Sequence, residues 1–221
     1  MKTTQRTNSS AIFAGQRVVV LGAGGHAKVV CDALRLMGCV VIGFLDDNTA
    51  LQGAQVSGLP VLGPNEMVVN LNVDAAIVAI GDNSTRRLWY ERLTHWGIPL
   101  ISAIHPASVI ASDVVLGQSV VVLASAVINA SAQVGDNVIV NTGAIIEHDC
   151  AVQDHVHLGP GVRLCGGARV GKGAFLGAGT IVIPYRSVGA DSVIGAGGVV
   201  ITDLPARVLA VGVPARVIRA I

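Results

Sequence analysis

The stretch "IIEHDC" sets an imidazole between two carboxylates: Glu147, His148 and Asp149. A histidine titrates near neutrality and can take a proton from an attacking amine or hydroxyl. A carboxylate beside it orients one ring nitrogen and stabilises the imidazolium that forms. The spacing leaves open which of Glu147 and Asp149 does this. The other histidines are His26, His95, His105, His155 and His157. His155 and His157 alternate, so they face different ways, and no third His or Cys is placed to complete a tetrahedral set. No metal is expected.

A second group lies near the start of the chain. In "RVVVLGAGGHAKVV", Gly22, Gly24 and Ala27 fit G-x-G-x-x-A, and Asp46 and Asp47 stand where a ribose-binding acid belongs. Gly24, Gly25 and His26 end a strand and open a helix, whose free amides attract a phosphate of any kind. The motif alone therefore leaves NAD and a nucleoside diphosphate-sugar both open. The latter fits better, because the segment holds only about half of a two-lobed dinucleotide fold. The diphosphate would sit at Gly24, Gly25 and His26, with Asp46 and Asp47 accepting from the base or ribose. "AIGDN" adds Gly81 on the same sheet edge, or else caps the helix that follows it.

Two kinds of element must position these groups. Residues 17–102 alternate strand and helix. "RVVVLG", "CVVIGFLDD", "DAAIVAIGD" and a short "IPLIS" read as strands of a parallel sheet, and "GHAKVVCDALRLMG" and "NSTRRLWYERLTHWG" read as helices. Residues 103–204 change period. Every sixth residue from Ile104 through Ile110, Leu116 and Val122 to Ile194 and Val200 is aliphatic, with no slip, and a small residue often follows four later. Neither a strand nor an α-helix has that period; a parallel β-helix does, three hexads making each triangular coil. Stacking by eighteen puts Gly166 over His148 and Gly167 over Asp149, leaving room beside the histidine. Residues 1–16 read as a flexible leader and 205–221 as a C-terminal tail.

The 15 basic and 14 acidic residues are scattered and the net charge is +1, which argues against a nucleic-acid surface. Charged residues are 13% and aromatics 3% of the chain, so the core is small aliphatics and much of the surface is uncharged, favouring a regular β architecture and oligomers. Glycines and polar residues interrupt every apolar run, so no membrane span is expected. Cys31, Cys39, Cys150 and Cys165 lack paired or metal-type spacing and read as reduced filler in a cytoplasmic protein.

Taken with "GAGGHAKVV", "GFLDDN", "AIGDN" and "VGVPARVI", the hexads and "INASAQVGDNVIVNTGAIIEHDC" resemble the bacterial nucleotide-sugar acetyltransferases. These are left-handed β-helix enzymes, including N-acetyltransferases for bacillosamine- and perosamine-type 4-amino sugars and sialic acid O-acetyltransferases. The resemblance implies a homotrimer with acetyl-CoA bound between neighbouring β-helices. It implies His148 as general base supported by Asp149, and Asn141 positioning the sugar amine. It further implies that His26, Asp46, Asp47 and Gly81 contact the nucleotide-sugar. His157, Gly166, Ala178 and Ala196 would contact the acyl donor, His157 by polarising the thioester carbonyl. Arg216 in "GVPARVIR", or Lys172, would meet the phosphates of coenzyme A. The expected reaction is acetyl transfer to the 4-amino group of a nucleotide-linked 4-amino-4,6-dideoxy sugar in bacterial surface-glycan synthesis. Sugar O-acetylation is the alternative, and an NAD-binding sensor or scaffold the remote one.

Overall fold

The computed structural model describes residues 14–221. Of the leader expected over 1–16, residues 1–13 lie outside the described residues. Residues 15 and 16 are anchored: Gly15 N–H donates to Gly38 O (2.9 Å) and Val40 N–H donates to Gln16 O (2.8 Å).

The first unit runs β1 (Arg17–Leu21), α1 (Gly25–Leu36), β2 (Val40–Leu45), β3 (Gln55–Val56), β4 (Leu59–Gly63), β5 (Ala75–Val78) and α2 (Asn83–His95). Val18 to Leu21 are fully buried, as a central parallel strand covered on both faces must be. The sheet order is β3-β4-β2-β1-β5. Chain direction across the sheet therefore reverses at β1, and a crevice opens outside the carboxyl ends of β1 and β5, where such sheets bind ligands. The strand expected at "IPLIS" is a single bridge, Ala76 to Leu100. Pro99 has no N–H with which to extend it. The sheet gains its outer strands instead from a β3–β4 hairpin, whose turn residues Ser57 (φ 49°) and Gly58 (φ 76°) both take positive φ.

From Ala103 to Val200 the chain winds as a left-handed parallel β-helix. Each hexad aliphatic is the inward second residue of a two-residue strand, and strands pair with those eighteen residues away, as Ile145 does with Val127 and Arg163. Three faces result. The outward residues of the first are Ala103, Val121, Ile139, His157, Phe175 and Val193. Those of the second are Val109, Val127, Ile145, Arg163, Ile181 and Val199. Those of the third are Val115, Gln133, Ala151, Arg169 and Ser187. Every sixth residue from Ser119 to Gly197 has positive φ and turns a corner. The α/β unit covers the first face: Val121, Leu123 and Ile139 share an apolar cluster with Ala27, Val30 and Leu34 of α1. The tail expected over 205–221 is built into the prism: Val208–Val211 pairs parallel with Val193–Ile194, and Arg216–Ala220 folds back antiparallel on it.

Candidate functional site

His148 lies at the corner between the second and third faces. Its Nδ1 is 2.8 Å from Asp149 Oδ2. With Nδ1–H donated there, the neutral ring keeps its lone pair on Nε2. Glu147, the other flanking carboxylate, turns away and accepts from Asn129 Nδ2 one coil earlier (2.8 Å). Of the two carboxylates that the spacing left open, the geometry pairs His148 with Asp149. Gly166 stacks on the histidine so closely that an added Cβ would lie 2.6 Å from both Cε1 and Nε2. Gly167 does not leave matching room over Asp149: an added Cβ there would meet the Tyr185 ring at 2.6 Å. Cys150, next in the motif, is buried; desolvation pushes its thiol up to about 11, and it donates to Cys165 O (3.2 Å). It is filler, as its spacing suggested.

The glycine turn sits at the sheet crevice. Gly22 takes φ 99°, and a Cβ there would lie 2.8 Å from Ala79 O, so only glycine fits. Gly24 and Gly25 are exposed at the α1 N-terminus, with nothing within 4 Å of their added Cβ positions. His26 follows with a buried Nε2 that has no hydrogen-bond partner. Its pKa falls to about 4, through burial first and then the nearby His157 and Arg86. The two expected base or ribose acceptors are already engaged. Asp46 holds Ala23 N–H (2.7 Å) and Asn48 N–H (2.9 Å). Asp47 holds the backbone and side-chain N–H groups of Asn65 (both 2.9 Å). These bonds shape the crevice wall; each carboxylate oxygen retains a second lone pair for a ligand.

A chain of hydrogen bonds runs from this crevice onto the β-helix. His157 Nδ1–H donates to Gly81 O (3.2 Å), which leaves Nε2 to accept from Asn141 Nδ2 (3.3 Å). Asn141 Oδ1 accepts from Thr142 N–H (2.8 Å) and has a lone pair left for an amine. Burial, reinforced by Arg86, lowers the His157 pKa to about 4, so the ring is neutral at pH 7. Neutral His157 then has no N–H to give a thioester carbonyl, the role expected for it; the geometry makes it an orienter of Asn141. The "AIGDN" segment divides. Gly81 carries the His157 contact, while Asp82 caps α2 by accepting from Thr85 N–H (2.8 Å).

Arg86, which no motif singled out, joins the two units beside this hydrogen-bond chain. It is fully buried, and its guanidinium donates to Ile80 O and Gly81 O on one unit and to Asn137 O and His155 O on the other. All its bonds go to carbonyls, none to a carboxylate, and desolvation lowers its pKa to about 10. The signal was a charged residue in the core phase of a helix: Arg86, Trp89, Tyr90 and Leu93 form the buried stripe of α2.

The remaining expected residues occupy two corners. Asn141, Ala178 and Ala196 line the corner between the first and second faces, whereas Gly166 and His148 line the next. Among the described residues no hydrogen bond or ring contact joins the His148 group to the Gly81–His157–Asn141 group. Arg216 is exposed on the last strand, and Lys172 pairs with Asp154 at 3.7 Å. A groove of about 700 Å³ between α2 and the first face, lined by Gly81, Asn83, His155, Phe175 and Val193 among others, opens beside His157. Its edge-on partner in the groove wall is Phe175, with ring centroids 5.1 Å apart. No group of three His, Cys, Asp or Glu among the described residues is arranged to hold a metal ion. No described helix is long and apolar enough to cross a membrane.

Comparison with known proteins places this arrangement. Residues 17–93 match the family described as the PglD N-terminal domain. Over 115 residues the chain is 37% identical to UDP-N-acetylbacillosamine N-acetyltransferase of Bacillus subtilis (strain 168), an alignment covering 49% of this chain and 52% of that protein. The chain thus spans about half the length of that curated relative. Solved structures match more fully. A histidine-to-alanine variant of GDP-perosamine N-acetyltransferase from Caulobacter crescentus, in complex with CoA and GDP-perosamine, is 44% identical over 90% of this chain and 95% of that one, with a TM-score of 0.85. The acetyltransferase domain of PglB from Neisseria gonorrhoeae FA1090, in complex with acetyl coenzyme A, is 36% identical over 93% of this chain and 100% of that one, with a TM-score of 0.88. An α/β unit docked on a hexad β-helix, matched at 44% and 36% identity over nearly the full length of these structures, shows that the chain belongs to the bacterial nucleotide-sugar N-acetyltransferases.

Proposed function

We propose that this protein transfers the acetyl group of acetyl-CoA to the 4-amino group of a nucleoside diphosphate-linked 4-amino-4,6-dideoxy sugar. The observation that carries the reading is the 44% identity, across 90% of the chain, to an enzyme held with both CoA and GDP-perosamine. In the reaction the neutral sugar amine attacks the thioester carbonyl carbon. His148 Nε2 takes the amine proton while Asp149 holds Nδ1–H and stabilises the imidazolium. The tetrahedral intermediate expels the coenzyme A sulfur, which receives the proton back from His148, and no acyl-enzyme forms. The 2.8 Å contact between His148 and Asp149 supports these roles, as does the clearance at Gly166. Asn141 Oδ1 is the seat for the amine, and Gly24, Gly25 and His26 hold the diphosphate.

The active form is a homotrimer in which two copies build each site. What supports this is the separation of the His148 corner from the Asn141 corner by one whole face. Apart from Arg163, that face carries outward Val109, Val127, Ile145, Ile181 and Val199, with Val109 63% exposed. Such an apolar stripe is covered when copies pack side by side, and the packing sets one copy's His148 corner against the next copy's Asn141 corner. Acetyl-CoA lies in that seam, touching Gly166 on one side and Ala178 and Ala196 on the other, with Arg216 toward its phosphates. The lack of paired or metal-type spacing among the four cysteines supports a reducing, cytoplasmic setting.

The test is release of free thiol from acetyl-CoA in the presence of 4-amino sugars carried on GDP, UDP or dTDP, with sialic acid and NAD as comparison ligands. One nucleotide amino sugar is expected to support turnover that His148→Ala abolishes. Faster acetylation of sialic acid favours the O-acetyltransferase reading, and NAD binding without coenzyme A binding overturns acyl transfer.

A further inference from the structure

The corner residues of the β-helix from Ser119 to Gly197 all have positive φ, and nearly all are Gly, Ser, Asn or Asp, which tolerate it. Two carry rings. His155 (φ 61°) is buried, its ring 5.4 Å from Tyr90 and its carbonyl bound by Arg86. Tyr185 (φ 60°) has no such packing: it is 76% exposed. A bulky side chain in the left-handed region is unfavourable, and such outliers persist where they serve a site.

The position of Tyr185 says which site. Its N–H donates to Gly166 O (3.1 Å) and its ring lies on Gly167. Along the helix axis the order is His148, then the Gly166–Gly167 step, then Tyr185. Because Asp149 holds Nδ1, His148 turns Nε2 to Gly166. Tyr185 therefore stands one coil beyond the Gly166–Gly167 step that Nε2 faces. Charge gives the direction of the donor. Residues 103–162 contain no Lys or Arg, while all seven cations of the β-helix half lie between Arg163 and Arg219. The phosphate end of a coenzyme A thioester belongs with those C-terminal coils, so its acyl end descends past Tyr185 to His148.

We propose that Tyr185 is a donor-binding residue whose ring forms the wall against which the thioester end of the pantetheine arm lies as the amine meets His148. The inference rests on the acyltransferase reading. Calorimetric titration with coenzyme A, and steady-state kinetics with each substrate varied, test it in Tyr185→Phe, Tyr185→Ala and Tyr185→Gly. Phe keeps the ring and behaves as the parent. Ala and Gly weaken coenzyme A binding, and raise the KM for acetyl-CoA, by roughly ten-fold, the scale of one lost aromatic contact. The KM for the amino sugar and the oligomeric state stay unchanged. Gly, suited to positive φ, melts no lower than the parent while binding its donor less well, which separates a ligand wall from a fold-stabilising side chain. Coenzyme A affinity within two-fold of the parent in both Ala and Gly overturns the proposal. So does a loss that appears in the amino-sugar KM, or one that accompanies a change of oligomeric state. A parent protein that binds no coenzyme A overturns the acyltransferase reading itself.

Discussion

Gly166→Ala adds one methyl group and tests the geometry at His148. The new Cβ would lie 2.6 Å from Cε1 and Nε2, against an ordinary contact of at least 3.4 Å. The ring must therefore retreat by roughly 0.8 Å, which pulls Nδ1 from Asp149 or Nε2 from the amine. The backbone accepts alanine, because Gly166 does not take positive φ. His148 has a side chain 57% exposed and can swing into solvent, so stability should change by no more than about 0.5 kcal/mol. Displacing a base by nearly an ångström costs on the order of 100-fold in rate, about 2.7 kcal/mol in the barrier. The assay is thiol release at saturating substrates beside a thermal melt. A fall in kcat near that size with an unchanged Tm is expected. A kcat within three-fold of the parent, at unchanged Tm, would refute His148 as a base pinned between Asp149 and Gly166.

The two carboxylates beside His148 should separate by function. Asp149→Asn removes the Nδ1 acceptor charge and should lower kcat by 10-fold or more, on the order expected for losing the partner of a general base; Glu147→Gln, whose carboxylate meets Asn129, should change it less than three-fold, roughly the effect of a neutral surface exchange. Equal losses in both variants would contradict the pairing. Acid should unfold the protein through the interdomain histidines. His26 and His157 have pKa values near 4 in the fold, against 6.5 when unfolded, and burial depresses His155 too. The folded state therefore resists protons that the unfolded chain accepts. Stability is intact above about pH 7 and falls as pH drops from 6.5 toward 4, by roughly 3 kcal/mol for each of His26 and His157. Urea midpoints at pH 7.5 and 5 check this; equal midpoints would contradict it.

The β-helix was legible because burial imposes its own period. Each coil turns the same backbone inward every sixth residue, so the inward positions must be apolar, and no other element produces that spacing. The glycine turn was legible from its short motif, and the fold adds the reason for Gly22: a Cβ there would meet Ala79 O at the end of the neighbouring strand. The "IPLIS" strand was misread because its apolar residues suit a strand while Pro99 limits the pairing, and the β3–β4 hairpin was hidden in a turn-rich stretch by strands too short to show a period. Arg86 was missed because a helix read by its outward charges conceals one that points in.

By itself, then, the sequence determined the repeat, the glycine-rich strand-to-helix turn and the placing of His148 between two acids, since each depends on residues close together in the chain or spaced by a fixed period. Only the tertiary structure decided which partners those groups take. Glu147 went to Asn129 because stacking puts residues eighteen apart in register. His157 went to Gly81 and Asn141, and Arg86 to carbonyls of both units, because the α/β unit docks on the first face. An imidazole, an amide or a guanidinium satisfies its hydrogen bonds with whatever acceptor the packed fold brings near, and residue type alone does not name that acceptor.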